Sequence, residues 1–221
     1  MKLSRFARLV KAGGFLYLSH VGDSGVWLGT RVGFYRATGL PDTVNADTIL
    51  TILDFDSKAM EKITVNEQDF ESVRDVFGMN LSDDPTPDIE VKKIPVAAVY
   101  NGIFATALMC DDGELVFYDE ALLSPLADVL KESDYVHTVV RVDPAGRRYI
   151  VIRDGFDTIA GFMPMRIINK DYLGELQNFE ALCVEQLMKD EARALHAAEA
   201  EAESGGEQTT TDEMEDANDG D

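Results

Sequence analysis

The chain has 221 residues, 45% of them hydrophobic, with 20 Lys+Arg against 41 Asp+Glu and a formal net charge of -21. That apolar content can bury the core of one large or two small domains, and it excludes collagen-like, wholly disordered and disulfide-scaffold chains. The acidic balance argues against a surface that holds nucleic acid by bulk charge, while leaving room for a local basic face. Cys110 and Cys183 offer neither a disulfide framework nor a thiolate metal site, which points to a reducing compartment. The opening MKLSRFARLVKAGGFLYLSH has bases but no sustained apolar run, and no stretch reaches the length of a membrane span, so a cytoplasmic location with no membrane partner is expected.

LSRFARLVKAGG reads as a short helix with Leu3, Phe6, Leu9 and Val10 on an apolar stripe, ended by Gly13 and Gly14. Lys2, Arg5, Arg8 and Lys11 step by three along its other face, within a first forty residues that carry six bases and the single acid Asp23. Such a row is a candidate set of phosphate contacts, although most rows of this kind are simply solvated. FLYLSHV, VWLGT and VGFYRA follow as strands of a meander punctuated by glycine, with Trp27 in the core.

DTILTILDFDSKAMEKI is expected to run as a strand from Ile49 to Phe55 and then, capped by Asp56, as a short helix from Lys58 to Ile63. In NEQDFESVRDVFGMNL, Phe70, Val73, Val76 and Phe77 stand at helical spacing, and SDDPTPD is a connector that places a module boundary near residues 82–88. IEVKKIPVAAVYNG and FATALMCD read as strands, and GELVFYDEALLSPLADVLKES as a strand leading into an amphipathic helix. YVHTVVRVD, RRYIVIRD and DTIAGFMPMRI close the region as three strands joined by turns at Asp143–Gly146 and Asp154–Gly155. The pattern predicts an α+β fold, antiparallel sheet with helices packed on one face.

Residues 171–221 carry a charge of -14, against -7 for the rest. Their first part, to about residue 203, is rich in helix formers, with Leu176, Phe179, Leu182, Cys183 and Leu187 recurring at three and four; residues 204–221 are too polar and too acidic to fold and are expected to be disordered. Phosphate-binding, nucleophile-elbow, zinc-protease and dinucleotide motifs are all absent. His20, His137 and His196 lie apart, Asp56 reads as a helix cap and Asp111-Asp112-Gly113 as a hairpin turn, so neither a metal site nor a cofactor is expected, and no catalytic residue is assigned.

From Leu115 to Ile167 the order strand, helix, strand, strand and closing strand, ending in Met163-Pro164-Met165-Arg166-Ile167, resembles the last module of DNA polymerase sliding clamps of the bacterial β type. The resemblance implies rings of sheet-and-helix modules whose inner helices face double-stranded DNA without sequence preference, and hence a non-enzymatic processivity or tethering factor that forms homo-oligomers. It also implies a hydrophobic pocket for short client peptides, for instance from a polymerase, built from Phe162, Met163, Pro164, Met165 and Arg166. On that pattern residues 1–82 form an N-terminal clamp-like half whose Lys2, Arg5, Arg8 and Lys11 touch DNA, 88–168 a C-terminal module, 169–203 an acidic helix and 204–221 an acidic tail.

The chain departs from the pattern in three ways. The first half has no room for three closing strands, so it reads as one expanded module or two incomplete ones. The second helix presents Asp119, Glu120, Asp128 and Glu132 against Lys131 alone, and a long acidic segment follows Arg166. The alternative reading is a protein-interaction module on the same fold, or an acidic DNA mimic, that does not encircle DNA.

Overall fold

The computed structural model describes residues 1–100 and 102–204, which form two compact units divided after Ile167. In chain order the first contains α1 (Leu3–Gly13), β1 (Phe15–Val21), β2 (Gly25–Gly29), β3 (Gly33–Arg36), α2 (Ala46–Ile52), α3 (Ser57–Met60) and β4 (Thr64–Phe70). After a connector come β5 (Ile89–Tyr100), β6 (Ile103–Cys110), β7 (Leu115–Asp119), a 3-10 helix (Glu120–Leu126) running into α4 (Ala127–Glu132), then β8 (Val136–Val142), β9 (Arg148–Asp154) and β10 (Asp157–Phe162). The second unit contains α5 (Lys170–Ser204), capped by the Asn169 side chain, which accepts from the Tyr172 N–H. Residues 205–221, most of the stretch expected to be disordered, lie outside the described residues.

The fold is α+β: ten strands in the order β4-β1-β2-β3-β10-β9-β8-β5-β6-β7, with β1 and β4 parallel and the remaining pairs antiparallel. Strands from both sides of residues 82–88 share this sheet, so the connector does not divide two domains. Instead the order contains a two-fold-like repeat: α1 then β1-β2-β3, and the 3-10/α4 helix then β8-β9-β10. The third strands meet antiparallel at the centre, Tyr35 opposite Ala160 and Gly33 opposite Phe162. The meander and the three closing strands form where alternation and glycine turns place them, because short apolar runs bounded by Gly or Asp-Gly leave an antiparallel return as the simplest pairing.

Both faces of the sheet are covered over β1–β3 and β8–β10. Leu16, Leu18, Leu28, Tyr35, Ile150, Ile152, Ala160 and Phe162 pack with Phe6 and Val10 of α1. On the other face Trp27, Phe34, Tyr149 and Val151 pack with Val76, Met79 and Leu81 from the segment between β4 and β5. Period-two alternation therefore gives apolar residues on both sides, as in β1, where Leu16 and Leu18 face one cluster and Tyr17 and Val21 the other.

Two sequence expectations fail for local reasons. Residues 49–55 are not a strand: Asn45 accepts hydrogen bonds from the N–H groups of Asp47 and Thr48 while the Thr48 hydroxyl accepts from Asn45 N–H, and this capping box starts α2 in spite of its β-branched residues. Ile49 and Leu53, four apart, bury the helix. Residues 66–81 are not a helix either, since the outer edge of β1 takes up Thr64–Phe70 as a parallel strand. The chain then makes a 3-10 turn at Val73–Asp75 and a tight reversal at Phe77-Gly78, both with left-handed φ (54° and 78°). The strained Phe77 stacks on Phe34 at 4.7 Å between ring centroids, so the apparent helical spacing is side chains gathered on one face by a turn.

Candidate functional site

α1 ends where Gly14, at φ 64°, returns its N–H to the Val10 carbonyl, and its Phe6, Ala7 and Val10 are buried. Phe6 meets the Tyr35 ring edge-on at 5.5 Å, and the Tyr35 hydroxyl donates to the Leu122 carbonyl at 2.7 Å, tying β3 to the 3-10 helix. Burial pushes the Tyr35 phenol far up from its ordinary value, with Asp119 adding to the effect, so it stays a neutral donor.

The basic row divides in two. The Lys2 N–H donates to the Pro125 carbonyl at 2.8 Å, Lys2 Nζ lies 3.0 Å from Asp128, and the Arg5 guanidinium reaches both Asp128 (3.7 Å) and the Ser124 carbonyl (3.3 Å). Lys2 and Arg5 thus dock α1 against the second helix, and the hydrogen bond from Lys2 lowers the Asp128 carboxyl below the usual aspartate range. Arg8 and Lys11 are exposed and make no ion pair among the described residues.

The second helix is less anionic than its composition. Asp119 caps the helix through the Ala121 N–H, Glu120 accepts from Lys93 (2.8 Å) and the Thr106 hydroxyl (2.6 Å), and Asp128 faces Lys2 and Arg5. The Lys93 hydrogen bond holds Glu120 below the ordinary carboxylate range.

The segment 162–166 does not act as one surface. Phe162 is fully buried, 5.4 Å from the Tyr35 ring, because strand alternation points it with Ala160 into the α1 side of the core; it cannot line an open pocket. Met163 donates its N–H to the Val32 carbonyl (2.8 Å) and packs half-buried on the opposite face. Met165 bridges to β7 through its N–H and the Phe117 carbonyl at 2.7 Å, carrying the chain from the central β10 to the edge strand β7. Pro164 and Met165 are half-buried and Arg166 exposed, so these three are what the segment offers to a partner.

An open cleft of about 680 Å³ lies elsewhere, between His20, Asp23, Arg36, Asp42, Asp69 and Phe70. Three of its polar groups already have partners: Asp23 receives the Ser72 hydroxyl and Val73 N–H, Arg36 meets Asp83 at 3.4 Å, and His20 Nε2 lies 3.4 Å from Glu67. Among the described residues no group of three or more His, Cys, Asp and Glu side chains is arranged to hold a metal ion, and no helix is long and apolar enough to cross a membrane.

No family model, curated protein or solved structure matches the chain. What the sequence reading missed is a buried charge cluster. Arg141 of β8 donates to Asp88 at 2.6 Å and to the carbonyls of Asn80, Ser82 and Asp84, while Arg153 of β9 donates to Asp88 and to the carbonyls of Asp83 and Phe156. Both guanidiniums are almost fully buried. The signal was parity: Arg141 shares a sheet face with Val139, and Arg153 with Tyr149 and Val151, so each arginine stands at a core position.

Proposed function

We propose that this chain is a non-enzymatic, sliding-clamp-like tethering factor that touches duplex DNA through Arg8 and Lys11 and a client protein through Pro164, Met165 and Arg166. The observation that carries the reading is the division of the basic row. Lys2 and Arg5 hold the two helices side by side, and Arg8 and Lys11 stay exposed and, among the described residues, without an ion pair, beside a helix whose acids are largely paired. A pair of helices on one face of a repeated helix-plus-three-strand unit is what a clamp module needs, and one chain supplies one such pair, so surrounding a duplex takes several chains. An acidic exterior then confines DNA contact to the helices.

A second reading, an interaction module that does not bind DNA, is favoured by the use of Lys2 and Arg5 within the chain. The two part on one experiment: fluorescence anisotropy of a labelled duplex with the full chain and with Arg8→Glu/Lys11→Glu. The tethering reading expects a loss of about tenfold or more at low salt with unchanged circular dichroism. Equal affinities, or no binding by either protein, overturn it in favour of the second.

A further inference from the structure

The β5–β6 hairpin has a composition unlike the rest of the chain. From Ile94 to Cys110 there is no Asp, Glu, Lys, Arg or His, in a protein of net charge -21, and charges return at once on either side with Lys92-Lys93 and Asp111-Asp112. Such a run reads as buried strand, yet near its tip Val99 is 70% exposed and its cross-strand partner Phe104 50%, and Val96 further along β5 is 48% exposed. β5 pairs with β8 only at Ile89 and Glu90, so from Val91 to Tyr100 its outer edge has no strand beside it among the described residues. A two-stranded ribbon with apolar side chains in water is marginally stable, and sheet proteins ordinarily guard an open edge with charge. Lys92, Lys93 and Pro95, the last in the bulge between Lys93 and Ala97, guard the start of that edge and leave the part from Val96 onward without charge or proline.

We infer that this hairpin is a self-association surface, in which the outer edges of β5 from two copies pair antiparallel about a two-fold axis and the Val99–Phe104 pairs of both copies form one continuous apolar face. Charge selects the occupant. A basic partner would be met by carboxylates and an anionic surface by lysines, and the stretch from Ile94 to Cys110 has neither. Two copies of a strongly acidic chain repel each other wherever their charged surfaces approach, and a charge-free ribbon lets them touch without opposing like charges. Antiparallel pairing of β5 with its own copy is self-complementary and sets the flanking Lys92 and Lys93 of the two chains at opposite ends of the contact. The contact is isologous and yields pairs, and it does not depend on the tethering reading.

The test is light scattering of the full chain over a concentration series, for the wild type and for Val99→Asp/Phe104→Asp. The wild type is expected to pass from monomer to dimer, and the variant to stay monomeric, or to associate at least tenfold more weakly, with an unchanged melting temperature because both side chains are exposed. Hydrogen exchange supplies the second readout: amides of residues 96–100 gain protection as the wild type concentrates. A wild type that remains monomeric, a variant that dimerises as well as the wild type, or a hairpin whose exchange ignores concentration overturns the inference. So does a monomer that instead binds neutral lipid vesicles through the same two residues.

Discussion

The connector of residues 79–88 and the β5–β6 hairpin invert each other's appearance. MNLSDDPTPD is polar, with prolines and aspartates that suit a loose link, yet it is held against the sheet: Met79 and Leu81 are buried, and its carbonyls and Asp88 are taken up by Arg141 and Arg153. IPVAAVYNGIFATALM has the composition of a core, yet its Val96, Val99 and Phe104 stand in solvent. The difference teaches that charge does the fastening here. Backbone carbonyls without helix or strand partners are costly to bury unless donors reach them, and two arginines at core positions supply several donors each. The hairpin has no such group and no third strand near its tip, so nothing among the described residues covers Val99 and Phe104.

The comparison breaks most visibly at Asp88. Asp88→Asn leaves two buried guanidiniums without their countercharge and is expected to cost about 3–5 kcal/mol in chemical denaturation, with protease cleavage appearing within residues 79–88. A loss below about 1 kcal/mol would mean that the carbonyl contacts alone hold the connector. Gly161→Ala probes the same attachment sterically, since a Cβ there would stand 2.4 Å from Leu81 Cδ2. The expected cost is about 1–3 kcal/mol by thermal melting. The hairpin variant Val99→Asp/Phe104→Asp supplies the contrast, with stability changed by no more than about 0.5 kcal/mol.

The smallest effect belongs to Asp128, an aspartate that also faces two bases but at the surface. Its carboxyl is held below the ordinary range by Lys2 and Arg5, so its contribution is present above the ordinary aspartate value of about 3.9 and is lost as pH falls through the lowered one. Melting temperatures of the wild type and Asp128→Asn should therefore differ slightly at neutral pH and converge in acid. A gap that persists in acid would assign Asp128 a role other than its charge.

Most of the scaffold was legible in the sequence. Glycine-punctuated runs located β1–β3, the Asp-Gly turns located β8–β10, and apolar spacing located α1 and α5. What stayed hidden depended on partners distant in sequence. β4 exists because β1 offers an edge, and α2 because Asn45 and Thr48 cap each other more effectively than β-branched residues favour a strand. Of the candidate DNA contacts, the row Lys2, Arg5, Arg8 and Lys11 was visible as a face, but its division followed from Asp128, more than a hundred residues away. Phe162 read as part of a pocket because it adjoins Met163-Pro164, whereas its parity with Ala160 already marked it for the core.

The salt dependence of duplex affinity tests the proposed function most directly. Two phosphate contacts per chain should make the slope of log affinity against log salt shallower by about 1.8 in Arg8→Gln/Lys11→Gln than in the wild type, at about 0.9 per contact. Parallel lines for the two proteins would contradict the assignment of α1 as the DNA-facing helix.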